Sequence, residues 1–93
     1  TLDVVNWNIE WFGSTAQNPA DDNLQQANAK RIMDSLNADV YGLAEIVDTA
    51  RLAALTRSLA ASYSYVVADY ASNATSPANA NWASGQKLAF IYR

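Results

Sequence analysis

Val40–Val47 reads Val-Tyr-Gly-Leu-Ala-Glu-Ile-Val, a run apolar almost throughout and broken by one carboxylate, Glu45. A strand of that composition is expected where both of its faces are covered, as in a parallel sheet layered with helices. Its neighbours fit such a layer. Leu2 to Ile9 alternates, with Leu2, Val4, Asn6 and Asn8 on one side and Asp3, Val5, Trp7 and Ile9 on the other, which is the period of a strand. Between the two strands, Gly13–Ala20 collects loop residues, and Asp22 followed by Gln25 resembles a capping box. Ala29, Ile32, Met33 and Leu36 then recur at helical spacing, predicting a helix from about Asn23 to Leu36.

The second half repeats the logic. Asp48 can cap a second helix whose buried stripe is Leu52, Leu55 and Leu59, with Arg51 and Arg57 off the stripe and Tyr63 closing it. Tyr65–Asp69 is a short third strand, Tyr70–Gly85 a long loop rich in Ala, Ser and Asn, and Lys87–Arg93 a fourth strand. The order β-α-β-α-β-loop-β predicts an α/β layered sheet with right-handed crossovers. No internal repeat, low-complexity tract or linker divides the chain, so one domain is expected.

Composition narrows the chemistry. Among 93 residues there is no cysteine and no histidine. That removes disulfide staples, thiolate metal sites, a histidine general base, a Ser-His-Asp triad and any histidine-ligated zinc centre carried by this chain alone. A net charge of −3 argues against the broad basic surface of a free-standing nucleic-acid binder. The charge is uneven, however: residues 1–48 hold eight acids against Lys30 and Arg31, while residues 49–93 hold four bases against Asp69. A local phosphate or metal site remains open. No apolar run approaches the ~18 residues of a membrane-spanning helix, and the N-terminus lacks the order of a signal peptide. Because Thr1 leads straight into a strand pattern and Arg93 closes another, the expectation is a segment of a longer polypeptide.

Two polar residues stand where a purely structural strand has little use for them: Asn8 near the end of the first strand and Glu45 near the end of the second. In open α/β sheets, ligands gather at the carboxyl ends of parallel strands, and a right-handed crossover brings these two ends together. An ionised carboxylate among apolar neighbours needs neutralising. Glu45 can equally be a strand-end carboxylate that reaches water or pairs with Lys30, Arg31 or Lys87, and Asn8 a turn residue bonding nearby backbone. Trp7 and Trp11 are expected to pack on the sheet, whereas Trp82, in the long polar loop, is the aromatic placed for stacking on a base or sugar. Lys87 either faces phosphate or is an ordinary strand-edge lysine. Asn73-Ala74-Thr75 matches the N-glycosylation pattern, a short and common one.

Asn6-Trp7-Asn8-Ile9 closing one strand and Leu43-Ala44-Glu45-Ile46 closing the next, with a helix between, resemble the N-terminal part of the endonuclease/exonuclease/phosphatase superfamily, the pancreatic-deoxyribonuclease-like fold. The string Trp7-Asn8-Ile9-Glu10-Trp11-Phe12-Gly13 is similar to a variant in its secreted bacterial members, and Lys87–Arg93 looks like the family's next central strand. The resemblance implies the β-α-β-α-β-β beginning of a four-layer α/β/β/α fold. Residues 1–93 would form about the first third of the domain, truncated at its C-terminus. It implies divalent-metal hydrolysis of a phosphate ester, with Glu45 as the Mg²⁺- or Mn²⁺-binding glutamate and Asn8 as the active-site asparagine beside it. A hard cation of this kind prefers oxygen ligands and needs few protein carboxylates when substrate phosphate and water complete its shell.

The family's catalytic histidine and aspartate motifs lie in later segments, so the 93 residues alone are expected to be inactive. Gln86 stands where some deoxyribonuclease-like members carry an acid that orients that histidine. The implied parent is a nuclease, outside the cell or on its surface. A phosphatase of lipid, inositol or nucleotide phosphates within the same superfamily is the alternative, and a non-catalytic binding module on this fold is a third reading. With part of a two-sheet fold present, an exposed apolar sheet face is expected, covered by the missing C-terminal part or by self-association.

Overall fold

The computed structural model describes residues 1–17 and 20–93, so residues 18 and 19 of the Gly13–Ala20 loop lie outside it. Its elements are β1 (Val4–Phe12), α1 (Asp22–Leu36), β2 (Val40–Ile46), α2 (Thr49–Ser58), β3 (Ser64–Ala71), a 3-10 helix (Ala80–Ser84) and β4 (Lys87–Tyr92). The four strands form one mixed sheet in the order β1-β2-β4-β3. β1 and β2 are parallel, and β4 runs antiparallel to both β2 and β3. This is the small α/β domain the element order predicts, with the last strand inserted between the second and the third.

Local chemistry explains most boundaries. The cap of α1 is Asp21, whose carboxylate accepts the Leu24 amide at 2.9 Å. The expected Asp22–Gln25 box does not form, because Gln25 turns to β1 and donates to the carbonyls of Ile9 (2.6 Å) and Glu10 (2.8 Å). Asn37 ends the helix in the left-handed region at φ 48°, its amide closing on Met33 O. Asp48 caps α2 as expected, accepting the Arg51 amide at 3.0 Å. Arg51 then reaches across to Asn23 and Gln26 on α1, tying the helices together.

Both helices lie on one face of the sheet. Ala29 and Met33 of α1 and Leu52 and Leu55 of α2 bury against Phe12, Tyr41, Leu43, Ile46 and Ile91, with Leu59 just beyond α2 completing the layer. Within it, the Tyr41 hydroxyl donates to Met33 O at 2.7 Å and accepts the Ala38 amide at 2.9 Å, so a buried polar group is fully used. Among the described residues, no layer covers the other sheet face. Val4, Val66, Leu88, Phe90 and Tyr92 are exposed there, Leu88 at 63% and Phe90 at 52%. The two-sided cover expected for β2 is therefore present on one side, and on the open side β2 presents Gly42 and Ala44, both half-buried. An exposed apolar sheet face is what the resemblance to a two-sheet fold implies.

The corner opposite the strand carboxyl ends is closed by Asp39. Its carboxylate accepts the Asp3 amide (2.9 Å) and the Arg93 guanidinium (3.1 Å), while the Arg93 amide donates to Asp39 O. The bond from the Asp3 amide, and then the one from Arg93, hold the Asp39 carboxyl below its ordinary value. The Ala60 amide, and then Lys30, do the same for Asp34. As pH falls below about 4, the unfolded chain takes up these protons before the folded one does, so stability drops through that window down to the folded values. Asp39→Asn is expected to flatten the acid limb of a stability-against-pH curve measured by urea unfolding, and Asp34→Asn to flatten it further. A limb unchanged in both variants would contradict the assignment.

Candidate active site

The ladder between β1 and β2 runs in register from Val4–Val40 to Asn8–Ala44 and then breaks, resuming only at Phe12–Ile46. The β2–β4 ladder breaks at the same level, between Leu43 and Ile46. Three non-glycine residues with positive φ sit in these breaks: Glu10 (38°), Trp11 (50°) and Glu45 (62°). Side chains with a Cβ enter that region at a cost of about 1–2 kcal/mol each. β1 thus continues past the Ile9 boundary expected from alternation, because the bulge is followed by a resumed pair. Gly13, at φ 79°, follows directly, and a Cβ there would lie 2.4 Å from Asp48 Cβ, so only glycine lets the ends of β1 and β2 approach this closely.

The bulges gather donors around Glu45. Its Oε1 accepts from the Gln86 side-chain amide at 2.8 Å and from the Trp11 backbone amide at 3.3 Å. Its Oε2 accepts from the Asn8 side-chain amide. The other end of Asn8, Oδ1, accepts the Glu10 amide at 2.9 Å, which fixes the orientation of the asparagine. An ionised carboxylate offers about four lone-pair positions, so the donors named here leave one on Oε2. Every donor is neutral. The ion pairs among the described residues are Lys30–Asp34 and Arg93–Asp39, so Glu45 has no cationic partner there, and pairing with Lys30, Arg31 or Lys87 is not observed.

These residues border a cleft of about 370 Å³ that also takes in Tyr70, Ser72 and Leu88. Tyr70 is 70% exposed beside it. Site reasoning from sequence passes over Tyr70 and Ser72, and it singles out Gln86 only as a replaced acid, not as a partner of Glu45. Alternation in β3 gives no sign that its end lies beside the end of β2, since that follows from β4 lying between them. The larger cavity, about 650 Å³, is elsewhere, between the Gly13–Gln17 segment, the start of α2 and Trp82. Asp48 is the only titratable side chain among its described lining residues, and its carboxylate already caps α2.

The structure brings Asn8 and Glu45 together and pairs Trp82 with Lys87 in another place. Lys87 is a residue of an interior strand, not an edge lysine, and is 2% exposed. Part of Lys87 lines the 370 Å³ cleft, but its ammonium donates to Val47 O (2.6 Å) and Ala83 O (3.3 Å) and lies 4.5 Å from the centre of the Trp82 ring. Burial pushes its pKa down, and Asp48 partly opposes that. The Trp82 indole N–H donates to Asp69 O at 2.7 Å, so this aromatic has a structural attachment at the foot of its loop. Trp7 packs against the core as expected, and Trp11 is half-buried.

No family model and no curated protein matches the chain. Among the described residues, no three acidic side chains converge as a preformed metal cage, and no helix is long and apolar enough to cross a membrane.

Lys87 therefore has a measurable structural task. Lys87→Met removes the donor to two carbonyls while keeping the bulk, and is expected to cost about 1–3 kcal/mol in chemical denaturation. Unchanged stability would mean that these bonds contribute nothing net.

Proposed function

We propose that this chain is the N-terminal portion of a divalent-metal-dependent phosphodiesterase, a nuclease, in which Glu45 holds the metal ion and Asn8 orders the carboxylate beside it. The observation that carries the reading is a half-buried carboxylate at the carboxyl ends of paired strands, held by neutral donors, without a cation, and on locally strained backbone. Strain of this kind, costing about 1–3 kcal/mol per residue, tends to persist where function requires it. The donor set suits a hard ion. Glu45 Oε2 retains a lone pair, and a Mg²⁺ or Mn²⁺ ion bound by one or two carboxylates keeps positions for water and phosphate.

Electrostatics favour the same reading. A phosphate diester approaching Glu45 meets a carboxylate, and the one ammonium bordering the cleft is turned to the Val47 and Ala83 carbonyls. Binding of an anionic substrate here then depends on a cation. Bound at Glu45, the ion would polarise a phosphoryl oxygen and stabilise the leaving group. Asn8 fixes the Glu45 carboxylate through Nδ2 and is itself fixed by the Glu10 amide. The chain has no histidine to serve as a general base. Nucleic acid as substrate, and a location outside the cell, rest on the resemblance of the Asn8 and Glu45 strand ends to deoxyribonuclease-like proteins. The uncovered sheet face would be covered by the remainder of such a fold.

The complete polypeptide should be assayed with Mg²⁺ on plasmid DNA, RNA and inositol phosphates. Cleavage of nucleic acid that EDTA abolishes is expected, with Glu45→Ala reducing the rate by about 100-fold or more, at or beyond the upper end for loss of a residue supporting a metal ligand. Residues 1–93 alone should cleave nothing. Hydrolysis of inositol phosphates only would move the assignment to the phosphatases, and full activity of Glu45→Ala would overturn the metal-site reading.

A further inference from the structure

We propose that Gln86 is a positioning residue for Glu45, saturating Oε1 so that Oε2 is the oxygen left for the metal ion; the inference rests on the metal-site reading above. With the Trp11 amide at 3.3 Å and the Gln86 amide at 2.8 Å, both lone pairs of Oε1 are taken, whereas the Asn8 amide occupies one of two on Oε2. The carboxylate is thereby made inequivalent at its two oxygens. Only an amide nitrogen can face a carboxylate attractively at this distance, so the orientation of Gln86 follows from its partner.

The Gln86 backbone is hydrogen-bonded on both its amide and its carbonyl. The Gln86 amide donates to Ser72 Oγ at 3.0 Å, and the Ser72 amide donates to Gln86 O at 2.9 Å, so Ser72, just beyond β3, brackets the Gln86 backbone. On one side Lys87 is anchored in the core by its two carbonyl bonds. On the other, Gly85 leaves room that the Asn73 side chain fills, its Oδ1 lying 2.1 Å from where a Cβ would stand. An acid at position 86 could not do this work, because in the metal-free protein it would set two carboxylates against each other. Glutamine supplies the reach of glutamate with a donor in place of the charge. Groups that orient a ligand in this way commonly contribute 10- to 100-fold to metal affinity.

The test uses the full chain and reads metal binding apart from turnover. Mn²⁺ affinity is measured by electron paramagnetic resonance for the parent protein, Glu45→Ala and Gln86→Met, the last matching glutamine in length but lacking the donor. Gln86→Met is expected to bind Mn²⁺ about 10-fold more weakly while remaining folded, and Glu45→Ala to lose the site. In the unsubstituted protein, the ¹⁵N side-chain amide resonance of Gln86 should move during a Mg²⁺ titration with the midpoint of the site itself. That signal is available even where Gln86→Met fails to fold. If Glu45→Ala loses Mn²⁺ while Gln86→Met retains parental affinity, or if the Gln86 resonance stays still while the site fills, the positioning role is overturned and the metal site stands. If Glu45→Ala binds Mn²⁺ normally, the metal-site reading falls and the positioning role falls with it.

Discussion

The parallel pairing of β1 with β2 stops at Asn8–Ala44 and restarts at Phe12–Ile46, and the rest of the candidate site depends on that interruption. An uninterrupted ladder would send successive side chains to alternate faces and spend the Trp11 amide on a strand partner. With the bulge in place, the Trp11 amide is free to meet Glu45 Oε1. The bulge is in turn held by Gln25 from α1, which takes up the Ile9 and Glu10 carbonyls that the broken ladder leaves behind and accepts the Gly13 amide at 3.3 Å. Helix, strand end and carboxylate are therefore one unit.

This dependence also accounts for what could and could not be read in the chain. The capping of α2 by Asp48 and the stripe Leu52, Leu55, Leu59 were legible because they are local: a cap and its amide lie three residues apart. The cap of α1 falls at Asp21 and not at Asp22 because Gln25, the other half of the expected box, has a stronger claim on it sixteen residues back in β1. Alternation placed Asn8, and the apolar run Val40–Val47 placed Glu45, near strand ends, and these two do meet. Gln86 meets Glu45 across forty-one residues, and only after β4 inserts between β2 and β3. That strand order also makes Lys87 an interior residue, which element order alone does not reveal.

The two polar clusters divide the end of the sheet by burial. Lys87, on the helix side, spends its ammonium on backbone carbonyls and an aromatic face, which suits a group 2% exposed. Glu45, on the cleft side, is half-buried and keeps an unspent lone pair. A charge satisfied by fixed backbone partners holds structure together and has nothing left for a ligand. Glu45 is oriented by its donors but keeps a lone pair toward the cleft, and so retains its attraction for a cation.

The energetics of Glu45 follow from the same contrast. Its left-handed backbone costs about 1–2 kcal/mol, while a hydrogen bond to a charged group contributes about 1.5–3 kcal/mol. One of its bonds offsets the strain, and the others oppose the partial desolvation of the carboxylate. The conformation is thus supported by three donors from two parts of the chain: Asn8 and Trp11 in β1, and Gln86 before β4. The helix-covered core lies on the opposite face of the sheet from these donors. That separation lets a strained site persist in a chain of 93 residues. The apolar layer lies under the helices, and the strained strand ends border the uncovered face.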